Sequence, residues 1–198
     1  MQLKKSTGLL VGGALFLLII IWMISTYNSL VKKQENVKKQ WAEVQSTYQR
    51  RLDLIPNLVN IVKGVSDFEQ STLEEIAKAR SNALAGLNTT EPTPENLLAQ
   101  QQQQNQVAIA TNRLIINIEK YPTLKGTAAY AGLQTQLEGT ERRIKVARND
   151  FNEAVNGYNT RVRSFPSSIV AGIFGFKSKE GFAADAGNDK AVEINFKP

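Results

Sequence analysis

Residues 49–64 read QRRLDLIPNLVNIVKG, placing Arg51 among apolar neighbours, a polar set of Asp53, Asn57 and Asn60 at spacings of four and three, and a proline inside a helix-forming run. Three kinds of chemistry are open to such a stretch. An arginine paired with a carboxylate can stabilise an oxyanion, a polar helix face can dock a partner, and a buried ion pair can set how helices align. Composition weighs against the first. The chain holds neither histidine nor cysteine, so the usual proton shuttle near neutral pH, the thiolate nucleophile and the commonest zinc ligands are missing. No Gly-rich phosphate loop, serine elbow or inward Glu with Glu-x-x-His set is recognisable. The sequence therefore predicts no catalytic residue, no metal and no cofactor, with a helical enzyme or cofactor carrier as the disfavoured class.

The charge is +6, from 24 Lys and Arg against 18 Asp and Glu in 198 residues. Such a balance suits nucleic acid or an anionic membrane surface, and its placement favours the membrane. Lys4 and Lys5 precede the uncharged run GLLVGGALFLLIIIWMI, while Lys32, Lys33, Lys38 and Lys39 follow it. No basic surface with interleaved aromatics points to nucleic acid. At about 1.5 Å per residue the run sits at the short end of what crosses a hydrocarbon core, and residues 25–27 extend it. Its exit, MISTYNSL, offers no A-x-A-like cleavage site, so residues 8–26 read as an uncleaved signal-anchor after a basic N-terminus over 1–7. Trp22 and Tyr27 suit the far interface. Basic residues on both flanks leave the side of the membrane open.

The elements that must position Arg51 follow from seven-residue repeats. Tyr27, Gln34, Trp41, Tyr48, Ile55 and Val62 form one row; Leu30, Val37, Val44, Arg51 and Leu58 form the other. Pro56 removes the bond to the Leu52 carbonyl and predicts a kink. Gly64 stops this helix, and Ser66 with Glu69 reads as a capping box that opens the second. The second helix's row is Phe68, Thr72, Ile76, Ala79, Ala83 and Leu87; Gly86 and NTTEPTPE end it. A third helix runs from about residue 95 to 120, taking the glutamine run at 100–104 with it, and presents Leu97, Leu98, Val107, Ile109, Leu114, Ile115 and Ile118. Tyr121-Pro122 breaks the chain. The last helix carries Tyr130, Leu137, Ile144, Phe151, Tyr158 and Phe165, with Leu133, Thr140, Ala147 and Ala154 beside them.

Short connections favour antiparallel neighbours, so the predicted fold is all-α: a transmembrane helix, then an antiparallel up-down-up-down four-helix bundle over residues 27–165 with long first and last helices. If Tyr27 lies level with Phe165, paired numbers keep a constant sum. Trp41 then meets Phe151, Tyr48 meets Ile144, Ile55 meets Leu137, Val62 meets Tyr130, and Arg51 faces Glu141 with Glu138 one turn away. Arg51, Glu138 and Glu141 thus form a predicted buried polar layer; Asp53, Asn57 and Asn60 form an exposed candidate docking face. Residues 166–198 read as an apolar, then polar, flexible tail. Within it Ile169, Val170, Ile173, Phe174 and Phe176 are expected to enter the bilayer surface while Lys177 and Lys179 meet headgroups.

Several stretches together resemble the LemA family over nearly the whole chain: YNSLV at 27–31, Trp41, RRLDLIPNLV at 50–59, VKG with Glu69, AR at 79–80, LEGTE at 137–141, RI at 143–144, AR at 147–148, NEAV at 152–155, YN at 158–159 and FP at 165–166. The resemblance implies a membrane-tethered four-helix bundle. Two departures stand out. Val65 and Phe68 replace the Tyr and His of the family's KGYAxHE pattern, which argues against a metal site at the helix break, and Phe151 stands where YNEAV has Tyr. The leading expectation is a single-pass protein of the bacterial plasma (inner) membrane, a non-enzymatic scaffold or docking bundle for other envelope proteins. Self-association is expected as well, because at about 1.5 Å per residue the outer helices reach roughly 55–60 Å and the middle two only roughly 30–40 Å, leaving aromatic faces near the membrane uncovered. The alternative is a membrane-remodelling protein that polymerises on lipid.

Overall fold

The computed structural model describes residues 3–63, 69–87 and 92–183. These residues are helical with no strand: α1 (Leu3–Val62), α2 (Gln70–Gly86), α3 (Pro94–Ile118), α4 (Pro122–Lys125), α5 (Ala128–Arg163) and α6 (Ser167–Ile173). Between Gly13 and Pro56 the sequence carries no glycine or proline, so nothing stops the apolar run from continuing as one helix into the heptad region. It also passes through Pro56. Gly64, Ser66 and Phe68 lie outside the described residues; α2 begins at Gln70, with Glu69 in extended geometry as its N-cap. The hydroxyls of Thr93 and Thr127 cap α3 and α5 by accepting from the main-chain N–H of Asn96 and Tyr130, both at 3.2 Å. The turn α4 between them was not anticipated.

Two contacts expected from the repeats are present between the long helices. Trp41 lies against Phe151 with ring centroids 5.4 Å apart, and Arg51 pairs with Glu141. The glutamine run is helical, with Gln100 and Gln104 buried. Of the apolar positions of α3, Leu98 and Ile109 are exposed, whereas Ala110 and Thr111 are buried. Phe165 is corrected, being 83 % exposed. Proline at 166 disfavours helix at the preceding residue, α5 ends at Arg163 with Val162 as its last buried residue, and Phe165 falls beyond the helix.

Two cores result. The far core joins Leu52, Ile55, Leu58 and Val62 of α1 to Ile76, Leu114, Ile118, Leu133 and Leu137. The core on the side of the apolar run joins Leu30, Trp41 and Tyr48 to Phe151 and Tyr158, and includes Val170, Ala171 and Phe182 from the segment after α5. That segment corrects two expectations. Residues 166–183 are packed rather than free, and they cover the aromatic faces expected to be bare. Asn152 and Asn159, seven apart on α5, grip its backbone. Asn159 accepts from the Lys179 N–H at 2.9 Å and donates to the Lys179 carbonyl at 2.8 Å; Asn152 does the same for Phe182 at 2.8 and 3.2 Å. At Gly181 a Cβ would sit 2.5 Å from the Asn152 Oδ1, so only glycine allows this approach. The Phe182 ring lies 5.5 Å from Phe151 and beneath the Arg148 guanidinium. Residues 184–198 of the expected tail lie outside the described residues.

Candidate functional site

The polar layer predicted from the repeat exists with different members. Arg51 is 5 % exposed; its Nη2 donates to Glu141, and its Nη1 donates to Gln104 Oε1 at 3.0 Å and to the Gln104 carbonyl at 3.2 Å. Glu141 is only half in the layer, its side chain 51 % exposed. Glu138 is not in it. One turn from Glu141 carries it round to solvent, where it accepts from Gln134 of its own helix. Gln104 is the residue that sequence reasoning missed: inside a run of identical glutamines only burial separates it from its neighbours. Gln100, also buried, donates to the Gly86 carbonyl at 2.7 Å, and Gln45 donates to that of Leu87 at 3.0 Å, so amides from α3 and α1 satisfy the open end of α2.

Pro56 has a counterpart in α2. With no N–H at residue 56, the Leu52 carbonyl lacks its helical donor, and Arg80 Nε supplies one at 2.9 Å. Asp53, Asn57 and Asn60 stand exposed together beside this point, Asp53 accepting from Gln49 at 2.7 Å.

Glu69 is exposed at the start of α2. The Ser71 hydroxyl, then that of Thr72 and the Asn117 amide, hold its carboxyl below the ordinary carboxylate range. Burial pushes the phenols of Tyr130 and Tyr158 above their usual value, with the Glu119 charge adding to the effect at Tyr130. Among the described residues no group of three or more His, Cys, Asp or Glu is placed to hold a metal ion.

The residues assigned to the bilayer surface divide. Ile169, Ile173, Phe174 and Lys177 are exposed, whereas Val170 is fully buried in the aromatic core. Its position on the inner side of α6 explains the difference, since Ser167 and Ala171 are buried with it. Phe176 is half-buried with its ring 5.6 Å from that of Tyr27, and Lys179 is tied through its backbone to Asn159.

Against this geometry, the LemA family model matches residues 40–196. The chain belongs to the LemA family. It is 25 % identical over 194 residues to the magnetosome proteins MamQ 1 and MamQ 2 of Paramagnetospirillum magneticum, covering 87 % of this chain and 70 % of each relative. It is 23 % identical over 144 residues to Protein LemA of Metamycoplasma hominis, covering 73 % of this chain and 63 % of that protein. Most of the stretches that carried the LemA resemblance have structural work in this chain. Arg51 and Glu141 pair, Arg80 completes the Pro56 turn, and the asparagines of NEAV and YN hold the segment that closes the core.

Proposed function

We propose that this LemA family member is a single-pass, membrane-anchored scaffold without enzymatic activity, an antiparallel up-down-up-down four-helix bundle that docks other envelope proteins on its outer faces. The observation that carries this reading is the unbroken α1, whose apolar N-terminal part is long and apolar enough to cross a membrane and whose remainder supplies core to the body. Contact order favours the antiparallel arrangement: along α1, Trp41 and Arg51 meet Phe151 and Glu141 in descending order, as Gln45 and Leu52 meet Leu87 and Arg80. The polar centre favours a structural role, since Arg51, Gln104 and Glu141 include no hydroxyl, thiol or imidazole group and no metal-ligand set.

Self-association belongs to the proposal on a different surface from the one first expected. Trp41, Tyr48, Phe151 and Tyr158 are covered, but Leu98, Ile109 and Ile116, eleven and seven residues apart, stand exposed on one side of α3. Ile109→Glu is expected to reduce the oligomer measured by light scattering in detergent without altering helix content. Docking is tested by crosslinking full-length protein in native membranes. The triple substitution Asp53→Ala, Asn57→Ala, Asn60→Ala should lose specific partners that the unsubstituted chain retains; unchanged recovery removes that face from the reading. Vesicles drawn into tubules by the purified chain, with no protein partner recovered, would favour the lipid-remodelling alternative instead.

A further inference from the structure

Apart from those on α3, a second group of exposed apolar residues lies around α6. Ile169 and Ile173, four apart on the outer side of α6, are 53 % and 64 % exposed; Phe165 stands exposed before the helix and Phe174, 51 % exposed, after it. The opposite side of α6 is fixed: Ser167, Val170 and Ala171 are buried, and the Ser167 hydroxyl donates to the Arg161 and Ser164 carbonyls. The segment is therefore fixed on one side while the fold leaves its outer apolar residues uncovered, and exposed apolar residues grouped in this way mark a contact surface.

Its position names the contact. Phe174 meets Tyr27 edge to face at 4.9 Å, and Tyr27 ends the apolar run of α1. Ile20, Met23, Ile24, Tyr27 and Phe174 together line an open apolar recess of about 250 Å³. Whatever surrounds α1 at the level of Ile20 to Tyr27 also touches Phe174. Exposed cations lie near in sequence to both elements, Lys32 and Lys33 after the run and Arg163 and Lys177 around α6, as a headgroup layer favours.

We propose that α6 is an interfacial wedge: Phe165, Ile169, Ile173 and Phe174 enter the same bilayer leaflet that α1 leaves, so the body has two lipid contacts instead of one stalk. The occupant of this surface is lipid, and the inference rests on the anchoring proposed above. The depth suits apolar faces that lie about 5–10 Å into the boundary between headgroups and acyl chains. The wedge also explains why α6 is held so firmly from behind, because an interfacial element resists tilting only when its body-facing side is packed.

The chain has no native cysteine, so single reporters can be placed in the full-length protein at exposed positions: Leu18→Cys in the apolar run, Ile173→Cys on the wedge and Lys78→Cys on the far half of the body. Each is labelled with a nitrobenzoxadiazole dye and reconstituted into vesicles of phosphatidylcholine and phosphatidylglycerol carrying a spin label either near the headgroup or deep in the acyl chain. The expected result is strong quenching at Leu18 by the deep label, strong quenching at Ile173 by the shallow label, and none at Lys78. Quenching at Leu18 with Ile173 as silent as Lys78 overturns the wedge and leaves the anchor standing. Silence at Leu18 overturns the anchoring and the wedge with it. A blue-shifted Ile173 probe that neither label quenches places protein, a partner or a second copy, on this face and also overturns the proposal.

Discussion

The two cores of this molecule solve the same packing problem with different materials. In the far half, α1, α2, α3 and α5 all contribute, and mainly aliphatic side chains fill the space between them. In the half nearer the apolar run, α2 and α3 contribute only their adjoining ends through Leu87 and Leu97, and the space is filled by Trp41, Tyr48, Phe151, Tyr158 and Phe182. Large rings bury more surface per residue than aliphatic chains, which suits a core with fewer walls. The missing wall is supplied by α6 and by a non-helical strap, residues 176–183, whose backbone groups lie outside any helix and so need outside partners. Asn152 and Asn159 are those partners. Where helices run short, aromatic volume plus asparagine clamps replaces them.

The sharpest way to break this comparison is to remove a ring. Trp41→Ala should cost about 3–5 kcal/mol, a typical loss for a buried aromatic, and hydrogen exchange should speed up chiefly on the strap and the Phe151 to Tyr158 stretch. Equal acceleration around Leu58 would mean that the two cores are one cooperative unit. Arg51→Ala comes next. It leaves the buried Gln104 Oε1 without its donor, at about 1–3 kcal/mol for a group left unsatisfied, while the Gln104 carbonyl, inside α3, keeps its helical N–H. Glu141→Ala should cost less, because that carboxylate already reaches solvent. Thermal melts of both variants beside Arg50→Ala check the order; no gap between Arg50 and Arg51 would contradict the burial of the layer.

A smaller effect is expected from Asn159→Ala, about 1–2 kcal/mol for the loss of two hydrogen bonds. Its signature is earlier proteolysis within residues 174–183 with the far core intact. The pH dependence sharpens the contrast further. Tyr130 in the far core and Tyr158 in the aromatic core both have raised folded values, so the folded state favours their neutral forms. Their contribution is fully present below the ordinary phenol value near 10 and is lost as pH rises through the higher folded values. Tyr158→Phe should reduce alkaline loosening of the strap half, followed by Trp41 emission or exchange, and Tyr130→Phe that of the far half, followed by exchange. The least effect belongs to the Asp53, Asn57, Asn60 triple alanine, within about 0.5 kcal/mol per site as for other exposed positions.

Much of this architecture was legible because the repeat reports burial directly. Trp41 lies against Phe151 and Arg51 pairs with Glu141, two of the contacts that the numbering required. The repeat failed where an element was not a helix facing a helix. Phe165 continues the numerical row but not the helix, since Pro166 ends the geometry that gives the repeat meaning. The strap was unreadable because a non-helical segment bound by side-chain amides has no period, although two asparagines seven apart beside the core row were its trace. Glu138 and Gln104 exchanged roles for a related reason: register identifies which turn faces Arg51, while the reach of individual side chains decides which group satisfies it.

The continuity of α1 has a mechanical meaning. Sixty residues in one helix make a lever of about 90 Å at 1.5 Å per residue, with no hinge between the proposed span and the far core. In a bilayer of different thickness such a helix accommodates by changing its tilt. A change of about 10° about the membrane surface carries the Pro56 end, some 30 residues away, sideways by about 8 Å at that same rise per residue. Lipid thickness would thereby be converted into lateral displacement of the surface carrying Asp53, Asn57 and Asn60.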